Sequence, residues 1–255
     1  MPTRSSERRR LGLLLALCAA AAAGCAKKAP TPLAPPPAPP LTEWPRGVTA
    51  PLKVTDELTL EIPLEYERSA IDPKQYRTRA FISQQSDRYE AQFDFFLPQF
   101  SGYTLKNFRS DTDPNRVEVI YVHAANPHEA DPDAPGEYPP NMLKRALAES
   151  LNPREYKDQY GLRCYQGRDP SARLTCYGPR ADGEDIMLTT QQAPYAPGDF
   201  PQMQARYFSK RYGGVRIAWR TSVQNLPRWR EIDAQVWKFI DAWKVQTAPA
   251  GRAKP

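Results

Sequence analysis

The cysteines are the residues whose spacing points most directly to a covalent reaction. Two of the four, Cys164 and Cys176, flank the turn sequence Asp169-Pro170-Ser171 in this 255-residue chain. A hairpin centred on that turn places them directly opposite each other, where they can form a disulfide with little backbone distortion. Zinc is the alternative, but it needs two further ligands, and His123 and His128 are the only histidines. The sequence therefore predicts a disulfide and no metal site.

Few residues could carry out catalysis. The chain has no G-x-S-x-G, P-loop, G-x-G-x-x-G or H-E-x-x-H motif. Ser101 is the one serine in a suggestive setting, and Ser-Gly after the strand-ending Pro98 is more typical of a turn than of a nucleophile. A thiol mechanism needs a free cysteine, which the predicted disulfide removes. We therefore expect no enzyme activity, no catalytic residues and no cofactor.

An acidic, proline-interrupted loop over residues 126–140 raises the possibility of calcium binding, because hard cations prefer several oxygen ligands. The spacing lacks the D-x-[DN]-x-[DN]-G order, and the prolines oppose convergence of the ligands. A solvated loop that offers a contact surface is the favoured interpretation. The candidate ligands are His128, Glu129, Asp131, Asp133 and Glu137.

Basic side chains are concentrated between residues 206 and 230. On a β-hairpin, alternate residues share a face, so four of them are expected opposite the core. Together with an interleaved tryptophan they form the predicted binding surface, because arginine and aromatic residues are the usual energetic anchors of interfaces. An acidic protein, a phospholipid head group and lipopolysaccharide are all possible ligands, although the pattern itself favours a plain solvated sheet face. The predicted binding residues are Arg206, Lys210, Arg216, Trp219 and Arg220.

The pattern of the amino-terminal residues predicts an export signal. A basic stretch over residues 1–10 precedes an apolar run over residues 11–23, which is shorter than the roughly 20 residues of a membrane-spanning helix. The following Ala22-Ala23-Gly24-Cys25 resembles the lipobox of bacterial lipoproteins, in which signal peptidase II cuts before a cysteine that is then acylated. Ala22 departs from the usual leucine. The resemblance implies lipidation at Cys25.

Two alternatives to this anchor exist. Cys18 is a rival site, but the preceding Leu17 is too bulky for a cleavage position. The segment could also be an uncleaved membrane anchor, or an ordinary signal with an incidental cysteine. Either would leave the same domain in the same compartment. The chain carries Ala26 and Lys27 rather than the aspartate that commonly retains lipoproteins in the inner membrane, so we expect it in the outer membrane, facing the periplasm.

Composition divides the chain and limits its partners. Loss of the signal removes four arginines and one glutamate, so the formal charge of +6 falls to +3, which argues against nucleic-acid binding. Prolines over residues 29–41 favour an extended tether of about 40 Å. The predicted divisions are a signal peptide (1–24), a lipidated cysteine with its proline-rich tether (25–41), a periplasmic domain (42–246) and a disordered tail (247–255).

The domain alternates strand-like runs with two helical patterns. One helix is expected to be capped by Asn141 and to end before Pro153; the other is capped by Asn225 and carries an apolar stripe from Trp229 to Trp243. This grouping predicts an α+β fold with an antiparallel sheet of seven or eight strands and two helices packed on it. This count is drawn from nine strand-like runs, of which Tyr76–Ser83 is the weaker: Leu58–Ile62, Tyr76–Ser83, Tyr89–Phe96, Arg116–Ala124, Leu162–Gln166, Leu174–Tyr177, Asp185–Gln191, Ala205–Arg211 and Val215–Val223.

The final helix has the sequence Leu-Pro-Arg-Trp-Arg-Glu-Ile-Asp followed by Val-Trp-Lys-Phe-Ile-Asp-Ala-Trp. Together with the tether and the predicted disulfide, it resembles immunity proteins of type VI secretion lipase effectors. The resemblance covers the architecture and residues 213–244, and no functional residue carries over. It implies a monomeric, non-catalytic lipoprotein that blocks a toxin by surface complementarity. The alternatives are an envelope assembly or maintenance lipoprotein that binds lipid, lipopolysaccharide or peptidoglycan, and a hydrolase with an unfamiliar site.

Overall fold

The computed structural model describes residues 44, 46–67, 90–108, 113–126, 128, 138–169, 173–190 and 200–245. All of them belong to the second of two structural units, which runs from Pro40 to Pro255. The strands are β1 (Leu52–Lys53), β2 (Thr59–Leu60), β3 (Glu90–Phe96), β4 (Arg116–Ala124), β5 (Leu151–Gln159), β6 (Leu162–Gly167), β7 (Thr175–Pro179), β8 (Asp185–Thr190), β9 (Gln202–Ser209) and β10 (Val215–Ser222). The helices are α1 (Pro139–Glu149) and α2 (Trp229–Trp243).

Eight strands form one antiparallel sheet in the order β3-β4-β10-β9-β8-β7-β6-β5. The chain enters at one edge with β3 and β4, crosses with α1 to the far edge, and returns as a meander from β5 to β10. The last strand therefore pairs with β4. β1 and β2 form a separate two-stranded ladder. This architecture confirms the predicted α+β class.

The two faces of the sheet differ because side chains alternate along each strand. In β9, Met203, Ala205 and Tyr207 are buried, whereas Gln204 and Arg206 between them are only partly buried. The register of β10 against β9 and β4 extends the same division across the sheet. One face is thus an apolar core surface, and the other carries polar and charged side chains.

Helix α2 covers the core face. Its buried side chains, including Ile232, Val236 and Ile240, form the stripe that the sequence predicts. Phe239 stacks on Trp243 with ring centres 4.7 Å apart and meets Phe95 of β3 at 5.3 Å. The segment of residues 46–67 joins this layer, since its apolar side chains belong to the same core.

The predicted disulfide is present. Cys164 of β6 lies directly opposite Cys176 of β7, and the two sulfurs are bonded. Both residues are buried on the core face. The bridge joins two strands of the meander near the β5 edge of the sheet.

Helix boundaries differ from the prediction. Helix α1 begins at Pro139, so Asn141 lies inside the helix and is buried instead of capping it. Asn225 likewise does not cap α2: it lies in a 3-10 turn (Val223–Arg228), where its side chain donates a hydrogen bond to the Pro114 carbonyl at 2.7 Å. In both cases a proline beside the expected cap begins or interrupts the helical turn, which moves the boundary.

Several sequence predictions fall outside the described residues. These are the strand Tyr76–Ser83, the anchor at Cys25, the proline-rich tether, the tail, and most of the acidic loop. Within the described ranges, neither helix has the length and apolar character required to cross a lipid bilayer.

Candidate protein-binding surface

An open groove of about 680 Å³ lies between α1 and the polar face of the sheet. On the helix side it is lined by Met142 and Ala146, and on the sheet side by residues of β6 to β10 such as Met187 and Thr189. The apolar methionines lie among threonine and glutamine side chains. Because methionine adapts its shape to irregular surfaces, this lining suits a flexible contact.

Among the described residues, the charged side chains that line the groove are those of Arg173, Arg206 and Arg220. Arg173 is exposed in the segment between β6 and β7, whereas Arg206 is partly buried and donates a hydrogen bond to Oε1 of Gln204 at 3.1 Å. Cationic side chains along a groove favour an acidic ligand.

Arg220 does not offer a free charge to this groove. Its Nε and Nη2 donate to the two carboxylate oxygens of Glu118, each at 2.9 Å. Glu118 also contacts Arg116, which is 2.8 Å from the carboxylate of Asp94. Two acids and two bases therefore neutralise one another along β3, β4 and β10. The other cationic side chains that line the groove are those of Arg173 and Arg206.

Burial raises the pKa of Asp94 in this network, and the Arg116 guanidinium and the Tyr103 hydroxyl oppose that shift. Asp94 accepts hydrogen bonds from both groups. The same ion pair raises the pKa of Arg116, although desolvation acts against it. The network therefore fixes the sheet edge as a paired structural unit, not as a set of exposed charges.

The structure separates the residues of the predicted binding surface. Arg206, Arg216 and Arg220 do share the polar face, and Arg216 lies between His123 of β4 and Phe208 of β9 in the strand register. Lys210 is exposed in the turn after β9.

Trp219 corrects the prediction. Its side chain is 0 % exposed and belongs to the core. Successive side chains of a strand point to opposite faces of the sheet. Trp219 lies between Ala218 and Arg220 on β10, so it points to the face opposite theirs. Trp219 is a core residue and cannot contact a partner from this position.

Sequence reasoning missed Arg173 and the three methionines of the groove. Arg173 lies outside the basic cluster, and Met142, Met187 and Met203 belong to a helix and two strands that are distant in sequence. Only the sheet order brings them together.

Two other sets of residues do not form a site. Ser101 lies in the turn after β3, where its backbone exchanges hydrogen bonds with Phe96, in agreement with the turn interpretation. On the core side, Arg180 donates from Nε to Asp233 at 3.0 Å and stacks over Tyr207. Because this cluster is buried beneath α2, it has no access to a ligand.

No family model matches the chain, and no curated protein matches it. Among solved structures, it is similar to an immunity protein of the Stenotrophomonas maltophilia type IV secretion system, with a TM-score of 0.51 and 12 % sequence identity. The alignment covers 78 % of this chain and 94 % of that protein. At this identity the similarity establishes a shared fold, whose common part is nearly the whole of the Stenotrophomonas protein.

Proposed function

We propose that this chain is a non-catalytic immunity protein that neutralises a secreted antibacterial toxin by binding it. The observation that carries the proposal is the groove between α1 and the sheet, whose described lining includes Arg173 and Arg206 as well as Arg220, which is paired with Glu118. A protein segment with acidic side chains and an apolar residue for the methionines fits this lining. The fold shared with the Stenotrophomonas immunity protein supports the same class of function.

The lipid anchor at Cys25 and the periplasmic location belong to this proposal. A toxin that acts in the cell envelope must be met there, and a tethered binder is held at its site of action. The similar structure belongs to a type IV secretion system, whereas the helix sequence resembles type VI immunity proteins. We therefore propose a toxin delivered by a secretion system, without assigning the type of that system.

The test is protection of living cells. The full chain is produced in the periplasm of a sensitive host together with each secreted protein encoded beside its gene. We expect growth to be restored against one such toxin and the two proteins to co-purify. Failure to protect against any of them would contradict the proposal.

A matched pair of substitutions tests the groove itself. Arg173→Glu should weaken toxin binding tenfold or more, mainly by slowing association, and raised salt should weaken the wild type in the same way. Arg46→Glu makes the same charge change at another exposed position and should have little effect. Equal affinity of all three proteins would place the interface elsewhere on the molecule.

The second candidate is an envelope lipoprotein that binds an anionic lipid, because phosphate head groups also suit arginine. It predicts binding to vesicles that contain phosphatidylglycerol, sensitivity of that binding to Arg173→Glu, and no protection against a toxin. The two functions are distinguished by the readout, because only the immunity protein protects against a toxin and only the lipid binder requires phosphatidylglycerol.

A further inference from the structure

The groove between α1 and the sheet crosses six neighbouring strands. Its lining takes at least one residue from each strand from β10 to β5, and these strands follow one another in the sheet. Neighbouring strands lie about 4.8 Å apart, so the groove is about 24 Å long. The residues that mark this line across the sheet are Arg220, Gln204, Thr189, Thr175, Gly167 and Leu151.

Helix α1 forms a fixed wall along this line. Met142 and Ala146 lie one helical turn apart and both face the groove. At the start of the helix, the ring of Tyr138 meets that of Phe208 of β9 with centres 6.2 Å apart. At its end, Arg168 donates a hydrogen bond to the Ala148 carbonyl at 2.9 Å. Because α1 is held at both ends, the groove exists before any ligand binds.

The shape of the groove suits an extended chain better than a helix. A volume of about 680 Å³ over a length of about 24 Å gives a mean cross-section of about 28 Å². A helix with its side chains is about 10 Å across, which is a cross-section of about 80 Å². A strand in a sheet occupies about 48 Å², and about half of that when only one row of its side chains enters the groove. At about 3.4 Å per residue, roughly seven extended residues span the length.

The floor of the groove offers partners for an extended backbone. Strands β6 to β9 pair with one another, so their own N–H and C=O groups are used within the sheet. An extended segment brings unpaired backbone groups with it, and these must find side-chain partners. Hydroxyl and carboxamide groups can both donate and accept hydrogen bonds. Within the described ranges, Thr189 and Gln202 of the floor make no side-chain hydrogen bond to the protein, so they are available for this role.

The order of side chains along the groove defines the ligand further. Arg173 precedes β7, Met187 lies on the adjacent β8, and Arg206 lies on β9. Within the described part of the chain, Arg173 has no ion-pair partner. Alternate residues of an extended segment share one side. A ligand that matches this order therefore places an acidic, an apolar and a second acidic side chain at alternate positions.

We propose that this groove binds an extended segment of the toxin, about seven residues long, with two acidic side chains on either side of an apolar one. The segment runs across the strands, alongside α1. This inference rests on the proposed function and adds to it the kind of toxin segment that is recognised.

A selection of peptides tests the proposal before the toxin is known. A phage library of random seven-residue peptides is selected on the full chain, purified in a zwitterionic detergent. We expect enrichment of peptides with two acidic residues and an apolar residue between them, at alternate positions. Selection of peptides that lack acidic residues would overturn the proposal. So would failure to select any peptide, which is the result expected if the groove takes an anionic lipid.

Two tryptophan variants locate the selected peptides. Ala146→Trp fills the groove from the α1 side and should weaken peptide binding on the order of tenfold or more. Ala148→Trp makes the same change at an exposed position of α1 outside the groove lining, and should bind as the wild type does. Equal affinity of the two variants would place the peptide elsewhere on the molecule and overturn the proposal.

An exchange of charge protects the test against a variant that folds poorly. Because Arg173 is exposed, Arg173→Glu leaves the core intact, and it should weaken binding of a selected peptide on the order of tenfold. Replacing one acidic residue of that peptide by lysine should restore binding to this variant. Absence of recovery with either acidic residue replaced would contradict the contact between Arg173 and an acidic side chain.

The toxin itself separates a failure of this inference from a failure of the proposed function. A selected peptide should displace the toxin, and Ala146→Trp should no longer protect cells. Full protection by Ala146→Trp would overturn the inference and leave the immunity function in place. Peptide binding in the groove without protection against any toxin would instead overturn the proposed function.

Discussion

At the residue scale, the most tightly constrained side chain is Arg180, a charge held inside the core. Its side chain is 3 % exposed; Nε is 3.0 Å from Asp233 and Nη2 is 3.1 Å from Asp182. Its guanidinium carbon lies 3.9 Å from the ring centre of Tyr207. A buried ion pair of this kind contributes little net stability but is costly to break, because the remaining partner is left charged and desolvated.

Arg180→Met should therefore lower the free energy of unfolding by about 3–5 kcal/mol at neutral pH. Burial raises the pKa of Asp233 and Arg180 opposes that rise, so the variant should raise this pKa further. A folded-state pKa above the unfolded value stabilises the folded protein at low pH, and this contribution is lost as the pH rises through it. The loss should accordingly shrink in mild acid.

Urea unfolding of both proteins at neutral and mildly acidic pH measures this effect. Arg163→Met is the matched control, because Arg163 also pairs with an aspartate but is exposed. It should change stability little at either pH. A similar loss in both variants, or a loss at Arg180 that is independent of pH, would argue against an uncompensated buried carboxylate.

At the scale of elements, strands were predictable where their two faces meet different environments. β4 alternates between core and polar face, and its predicted and observed bounds are the same, Arg116–Ala124. β5 was not predicted because it is exposed along most of its length and therefore lacks an apolar period. The sequence Leu58–Ile62 does alternate, yet only β2 within it pairs, since the neighbouring backbone hydrogen-bonds to other segments.

The groove could not be predicted in the same way. Its arginines come from the segment before β7, from β9 and from β10, and its methionines from α1, β8 and β9. Alternation along β9 and β10 correctly places Arg206 and Arg220 on one face. It does not show that Glu118 of β4 neutralises Arg220, because that contact depends on the pairing of β4 with β10.

Helix α2 provides a direct test of the packing. Phe239 is 8 % exposed and contacts the rings of Tyr66, Phe95 and Trp243. Phe239→Ala should lower the free energy of unfolding by about 3–5 kcal/mol, because the removed ring leaves a cavity in a layer of aromatic side chains. The comparison is Lys238→Ala at the exposed neighbouring position, which should be nearly neutral. Chemical denaturation measures both, and equal effects would mean that α2 is not packed as a core helix.

At the scale of the whole molecule, the proposed anchor at Cys25 determines where the domain works. Cys25→Ser should abolish acyl labelling and leave an unprocessed precursor, since no other cysteine has small residues before the cleavage point. Cys18→Ser should leave labelling unchanged. Metabolic labelling with a fatty-acid analogue and membrane fractionation provide the measurement. Loss of label in the Cys18 variant alone would move the anchor to that residue.

The pairing of β10 with β4 also determines the order in which the protein can fold. From β5 to β10 each strand pairs with its neighbour in the chain, so the meander needs only short loop closures. Val215 of β10, by contrast, pairs with Ala124 of β4, roughly 90 residues earlier, a closure that costs far more chain entropy. We therefore expect the meander to form first and the docking of the β3–β4 hairpin onto β10 to be the slower step. Until it occurs, β10 is a second open edge, and a nascent chain is more prone to aggregation than the finished protein.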